Sequence, residues 1–201
     1  MELRMQEEIP PSHGSCTATA TGEPSLRLPA MNLIPFDQSP EDEPLIDLTS
    51  DSYFMSQALR QAVKAYEAEE VPIGAVVVRE GRIIARAANQ VETLKDATAH
   101  AEMLAITQAE NALGDWRLTD CDLYVTKEPC PMCAGALVHA RLRRVIFGCH
   151  DARGGAAGGL INLLQMPGLN HRCEITGGVM GEESGQLLKA FFSERRGNTE
   201  S

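Results

Sequence analysis

With 201 residues, 43% of them hydrophobic, the chain can fill one core of ordinary size but has no apolar run near the roughly 18 residues of a membrane span. Its formal charge of −10 is uneven: residues 1–52 carry ten acids and two bases, leaving eighteen acids against sixteen bases, so charge neither favours nor excludes a polyanionic partner. The start has glutamates and no apolar signal stretch, which predicts a cytoplasmic protein, and the six cysteines (Cys16, Cys121, Cys130, Cys133, Cys149 and Cys173) then read as metal ligands or buried residues rather than a disulfide framework.

Up to Ser52, prolines recur among small polar residues and the acidic run Glu41, Asp42, Glu43, a composition that predicts a disordered extension; Met31 and Met55 offer alternative starts. From Tyr53, the residues Phe54, Ala58, Leu59, Ala62, Val63 and Tyr66 recur every three or four positions, predicting a helix that stops before Pro72. Ile73 to Val78 and Ile83 to Ala88 read as a hairpin turning through Arg79, Glu80, Gly81 and Arg82. Residues 100–112 read as a helix, Leu123 to Thr126 as a strand, Pro131 to Ala140 as a helix opened by proline, and Arg144 to Phe147 as another strand. The glycine-rich residues 154–159 lead into Leu160 to Leu164; Cys173 to Val179 is strand-like, and Glu182 to Arg195 is a last amphipathic helix before the tail 197–201. Strands alternating with helices predict an α/β sandwich over residues 53–196.

Chemistry concentrates in two short motifs. His100-Ala101-Glu102 opens one predicted helix and Pro129-Cys130-Pro131-Met132-Cys133 opens another. Two cysteines spaced C-x-x-C in a first helical turn reach one ion, and the free N–H groups of that turn stabilise negative sulfur. His100 supplies a third ligand, and three protein ligands leave one tetrahedral place for water, the pattern of a catalytic zinc. Glu102 is placed to act as general acid and base. Either motif alone has ordinary explanations: a redox pair, half a structural zinc site, or core packing. Together and in this order they match the zinc-deaminase signature. The run Gly154 to Gly159 lacks the Lys-Ser or Lys-Thr of a phosphate-binding P-loop and reads as a flexible loop on the substrate side. Cys121, Cys149 and Cys173 lack ligand spacing, and His139 reads as a packed or solvated side chain.

Residues 53–196 resemble the bacterial tRNA adenosine deaminases. Beyond the zinc motifs, the likeness includes EVPIGAVVV at 70–78, DATAHAE at 96–102, LYVTKEPCPMCAGALVHARLRRVIFG at 123–148, DARGGAAGG at 151–159, MPGLNHRCEI at 166–175 and FFSERR at 191–196. The resemblance implies a cytidine-deaminase-like three-layer α/β/α sandwich with a mixed five-stranded sheet, one zinc ion per subunit, and conversion of wobble adenosine to inosine in a tRNA anticodon stem-loop. It further implies a homodimer in which both subunits border the RNA site. Asn89 would hydrogen-bond the flipped base, and backbone N–H groups near Ala101 and Cys130 would hold the tetrahedral intermediate. Asp151, Arg153, Asn170, His171, Arg172, Arg195 and Arg196 are the implied RNA contacts, although Arg195 and Arg196 would also suit a helix C-terminus in any protein, and Arg141, Arg143 and Arg144 a solvated basic face. The segment Gln90 to Thr93 departs from the family, which often has a proline there, and leaves the shape of that loop open. Two other readings compete: deamination of a free base or nucleoside by the same zinc machinery, and a zinc-binding partner subunit without catalysis.

Overall fold

The computed structural model describes residues 47–197. The expectations of a disordered extension and an internal start at Met31, together with Cys16 and residues 198–201 of the tail, fall outside the described residues. The first helix, α1 (Asp51–Glu67), begins two residues before Tyr53 because Ser50 caps it, its hydroxyl accepting the Tyr53 N–H at 3.2 Å. Phe54, Met55, Ala58, Ala62 and Ala65 form its buried stripe. Strands β1 (Gly74–Arg79) and β2 (Arg82–Ala88) pair antiparallel through a two-residue turn, Glu80–Gly81, whose φ values of 50° and 72° match the right-handed twist of the strands. The open segment after β2 contains one helical turn, α2 (Val91–Leu94), closed by Lys95 in the left-handed region.

Next come α3 (Ala101–Leu113), β3 (Cys121–Lys127), α4 (Pro131–His139), β4 (Arg144–Cys149), β5 (Glu174–Gly177) and α5 (Gly181–Gly197). Strand order is β2-β1-β3-β4-β5, with β1 antiparallel to both neighbours and β3, β4 and β5 mutually parallel. This is a mixed five-stranded sheet in an α/β/α sandwich, as the deaminase resemblance implies. Side chains of the strands alternate between two cores because the pleat has a period of two. Ala75, Val77, Leu123, Val125, Val145 and Phe147 meet α3 and α4 on one face. Val76, Val78, Tyr124 and Ile146 meet α1 on the other, beside Val179 and Met180 at the entry to α5. Each such large apolar side chain contributes about 1.5–3 kcal/mol by leaving water.

Two features lock the layers. A Cβ at Gly74 would overlap the Ala58 carbonyl, so glycine lets α1 lie directly on β1. At the far end of the sheet, Arg143 forms two hydrogen bonds to buried Asp122, and Arg144 joins Asp122 to Asp51 of α1, which also accepts the Tyr124 hydroxyl at 2.7 Å. Arg144 thus braces the sheet against α1 rather than joining a solvated basic face, whereas Arg143, though paired with Asp122, stays exposed. No helix among the described residues is long and apolar enough to cross a membrane.

Candidate metal centre and active site

Two helix starts converge on one side of the sheet. His100 is the N-cap of α3 and Cys130 the N-cap of α4, and neither side chain caps its own helix. Both are left to face each other, with Cys133 one turn into α4. The His100 Nδ1 lies 3.7 Å from the Cys130 sulfur and 3.5 Å from the Cys133 sulfur, and all three donor atoms lie within 4.8 Å of one another. A nitrogen and a sulfur bound at ordinary lengths to one tetrahedral zinc are separated by about 3.6 Å, so the donors fit that ion in type and spacing. Among the described residues this is the one such cluster of metal-ligating side chains. Cys121 and Cys173 are buried in the α3–α4 core, Cys149 is half-buried, and His139 is exposed.

The electrostatics suit a metal. The Cys133 S–H, with His100 adding to it, holds the Cys130 thiol down to about 3. Donation to Cys130 and burial push Cys133 up. The Cys130 sulfur in turn raises His100. A metal cation between the two sulfurs would suit both as thiolates. Beside them, in the first turn of α3, Glu102 is 3% exposed, and burial raises its carboxyl well above the ordinary range. Its Oε2 is enclosed and has no hydrogen-bond partner. Such an orphaned acceptor is costly in a core but suits a group that exchanges protons with a bound water. Ala101, between the histidine and the glutamate, is fully buried.

Asn89 and His100 line one cavity of about 270 Å³, together with Glu70, Ile73, Val91 and Arg195. Asn89 directly follows β2, is buried, and gives its Nδ2 to Glu70 at 3.1 Å. Arg195, in the last turn of α5, donates to the Glu69 carbonyl at 2.6 Å and stacks on Phe191. The other residues singled out from sequence do not line this cavity. Asp151 accepts from Lys127 and from the N–H groups of Arg153 and Gly154. His171 donates to the Leu142 carbonyl at 2.7 Å, tying its loop to the turn before β4. Arg153, Asn170, Arg172 and Arg196 are exposed. A larger hollow, about 500 Å³, lies at the Asp51–Arg144 end and has no metal-ligand cluster among its walls.

Two buried carboxylates were not legible as functional from sequence. Glu128, just before Pro129, accepts the N–H groups of Asp151, Ala157 and Gly159 at 2.8–2.9 Å. The loop expected to be flexible is therefore pinned, and side chains at Gly155 or Gly159 would collide with that carboxylate. Glu70 is the second. Each stands alone in sequence, so the only available signal was its place beside a motif.

The MafB19-like deaminase family pattern matches residues 49–196. The chain is 54% identical to the tRNA-specific adenosine deaminase of Bacillus subtilis over 149 residues, 74% of this chain and 92% of that one. It is 49% identical to the tRNA-specific adenosine deaminase of Aquifex aeolicus over 146 residues, 73% of this chain and 96% of the other. A solved structure from work on A-to-I editing by tRNA:A34 deaminases at the wobble position of transfer RNA superposes with a TM-score of 0.66 at 45% identity, covering 68% of this chain and 99% of that one. Sequence, fold and the metal-ligand trio agree: the chain belongs to the bacterial tRNA-specific adenosine deaminases of the cytidine-deaminase superfamily.

Proposed function

We propose that this chain deaminates the wobble adenosine, position 34, of tRNA to inosine by hydrolysis. The observation that carries the reading is the pairing of a metal-donor trio with an enclosed carboxyl, Glu102, whose Oε2 has no hydrogen-bond partner. The substrate class is supported by relatives that are tRNA-specific adenosine deaminases and are matched over nearly their whole length.

His100, Cys130 and Cys133 would hold the zinc, which when bound acts as a Lewis acid and brings the pKa of a water from about 9 toward 7. Glu102 would take one proton from the attacking water and deliver it to the adenine N1 as C6 becomes tetrahedral, then move the second, from the new C6 hydroxyl, to the amino group that leaves as ammonia. Water in and ammonia out balance the reaction. Asn89 holds the flipped base, and the free N–H groups that open α3 and α4, near Ala101 and Cys130, steady the charge developing at C6. Asp151, Arg153, Asn170, His171, Arg172, Arg195 and Arg196 are the proposed RNA contacts; the exposure of Arg153, Asn170, Arg172 and Arg196 supports this. The working form is a homodimer in the cytoplasm. Five free thiols among the described residues accord with a reducing compartment, and the exposed Leu160, Ile161, Met166 and Leu169 offer apolar surface for a second copy.

The test is inosine formation by zinc-loaded protein on an A34-containing anticodon stem-loop, with free adenosine, cytosine and guanine alongside. Inosine at position 34 is expected. Turnover of a free base with an untouched stem-loop would reject the RNA substrate, and no turnover of any of them would favour a non-catalytic zinc-binding subunit.

A further inference from the structure

We infer that Glu70 is a positioning residue that fixes which edge of the Asn89 amide faces the cavity beside His100. The inference rests on the reading of Asn89 as a contact to the base. Glu70 lies between α1 and β1, and its side chain is enclosed, the residue being 1% exposed. Its Oε1 accepts the backbone N–H of Thr93, in α2, at 2.6 Å, and its Oε2 accepts the Asn89 Nδ2 at 3.1 Å. The carboxylate thus joins the short helix to the residue that follows the second strand, at the wall of the cavity it shares with His100.

The chemistry of the pair restricts the amide. Burial opposes a charge on Glu70, but the N–H groups of Thr93 and Glu92 outweigh it and hold its carboxyl below the ordinary range. An ionised carboxylate can only accept. Asn89 must therefore turn its Nδ2 toward Glu70 and its Oδ1 to the opposite edge. Without such a partner, the amide has two orientations, related by a half-turn, that exchange donor and acceptor. A purine presents donors and acceptors at fixed places, so the wrong orientation sets like against like, and a site built to hydrogen-bond its substrate loses heavily when a buried polar group is left unpaired.

Glu70→Gln is close to isosteric and reverses the preference. The oxygen of the substituted side chain is needed by the Thr93 N–H, which turns the new NH₂ toward Asn89; that NH₂ needs the Asn89 Oδ1, and the asparagine amide flips.

The experiment measures kcat and KM for inosine formation on the A34 stem-loop with the zinc-loaded full chain. Wild type is compared with Glu70→Gln, Asn89→Ala, the double variant and Glu70→Asp, with zinc content and melting temperature measured for each. Glu70→Gln and Asn89→Ala should each lower kcat/KM by about tenfold or more. The double variant should be no worse than Asn89→Ala, because Glu70 then has no amide to orient. Glu70→Asp keeps an acceptor-only group and should retain more activity than Glu70→Gln, a ranking that holds even if both melt earlier. Wild-type activity for Glu70→Gln beside a weakened Asn89→Ala would overturn the inference alone. So would a full further loss in the double variant, which would mean that Glu70 acts through the packing of α2. An Asn89→Ala enzyme as active as wild type would overturn the base-contact reading, and the inference with it.

Discussion

Among the site residues, His100, Cys130, Cys133 and Glu102 divide by what surrounds them. The three ligands point at one another across two helix starts, whereas Glu102 carries an enclosed oxygen that has no partner. Removing the glutamate should therefore spare the metal, and removing a thiolate should not. Glu102→Ala is expected to keep its zinc, measured by elemental analysis, while inosine formation falls about 10²–10⁴-fold. Cys130→Ser is expected to lose zinc and melt earlier. Comparable activity in wild type and Glu102→Ala would defeat the proton-transfer role. The trio was legible because ligand spacing is local: C-x-x-C and H-x-E each fall within one helical turn. Glu70 and Glu128 were not, because what defines them is burial and the backbone N–H groups of segments some 23–31 positions away.

Between elements, the loop from Asp151 to Gly159 demonstrates how a glycine-rich stretch can be rigid. Its N–H groups close on Glu128, and its glycines are required by the nearness of that carboxylate. Burial alone would raise the Glu128 carboxyl, but those N–H groups hold it below its ordinary 4.5. A depressed folded pKa gives stability that is complete above the unfolded value and is lost as the pH falls through the folded one. Glu128→Gln, which must set an NH₂ against N–H donors, should cost about 1–3 kcal/mol at neutral pH. The gap between variant and wild type in urea unfolding should narrow as the pH falls below 4.5. A gap that is constant with pH would show that the charge on Glu128 contributes nothing. Periodicity gave the helices and strands to within a few residues, but α2 was missed, since one turn is too short to display a period and its amides are satisfied by Glu70.

The anchoring of the start of α1 is a matter for the molecule as a whole. Ser50 caps α1, and Asp51 ties that helix to Tyr124 and Arg144 across the sheet. A chain beginning at Tyr53 should be about 1–3 kcal/mol less stable than one beginning at residue 47, having lost these bonds. Equal melting of the two truncations would remove Asp51 from the account. Zinc should add stability by mass action: a chelator is expected to lower the melting temperature of wild type but not of Cys130→Ser, as followed by circular dichroism.

Residue spacing was enough to indicate the class of chemistry, the candidate metal-ligand trio, the order of the main elements and the alternation that buries both faces of the sheet. All of these depend on distances within a turn, a strand or a motif, and the chain carries them locally. Which charges are structural emerged only from the packed fold. Asp122 with Arg143 and Arg144, Glu128 with its loop, and Glu70 with Asn89 become partners only when distant segments exclude water from between them. In water such groups are interchangeable surface charge; inside the fold each must find a particular donor, and that requirement positions the loops around the metal centre.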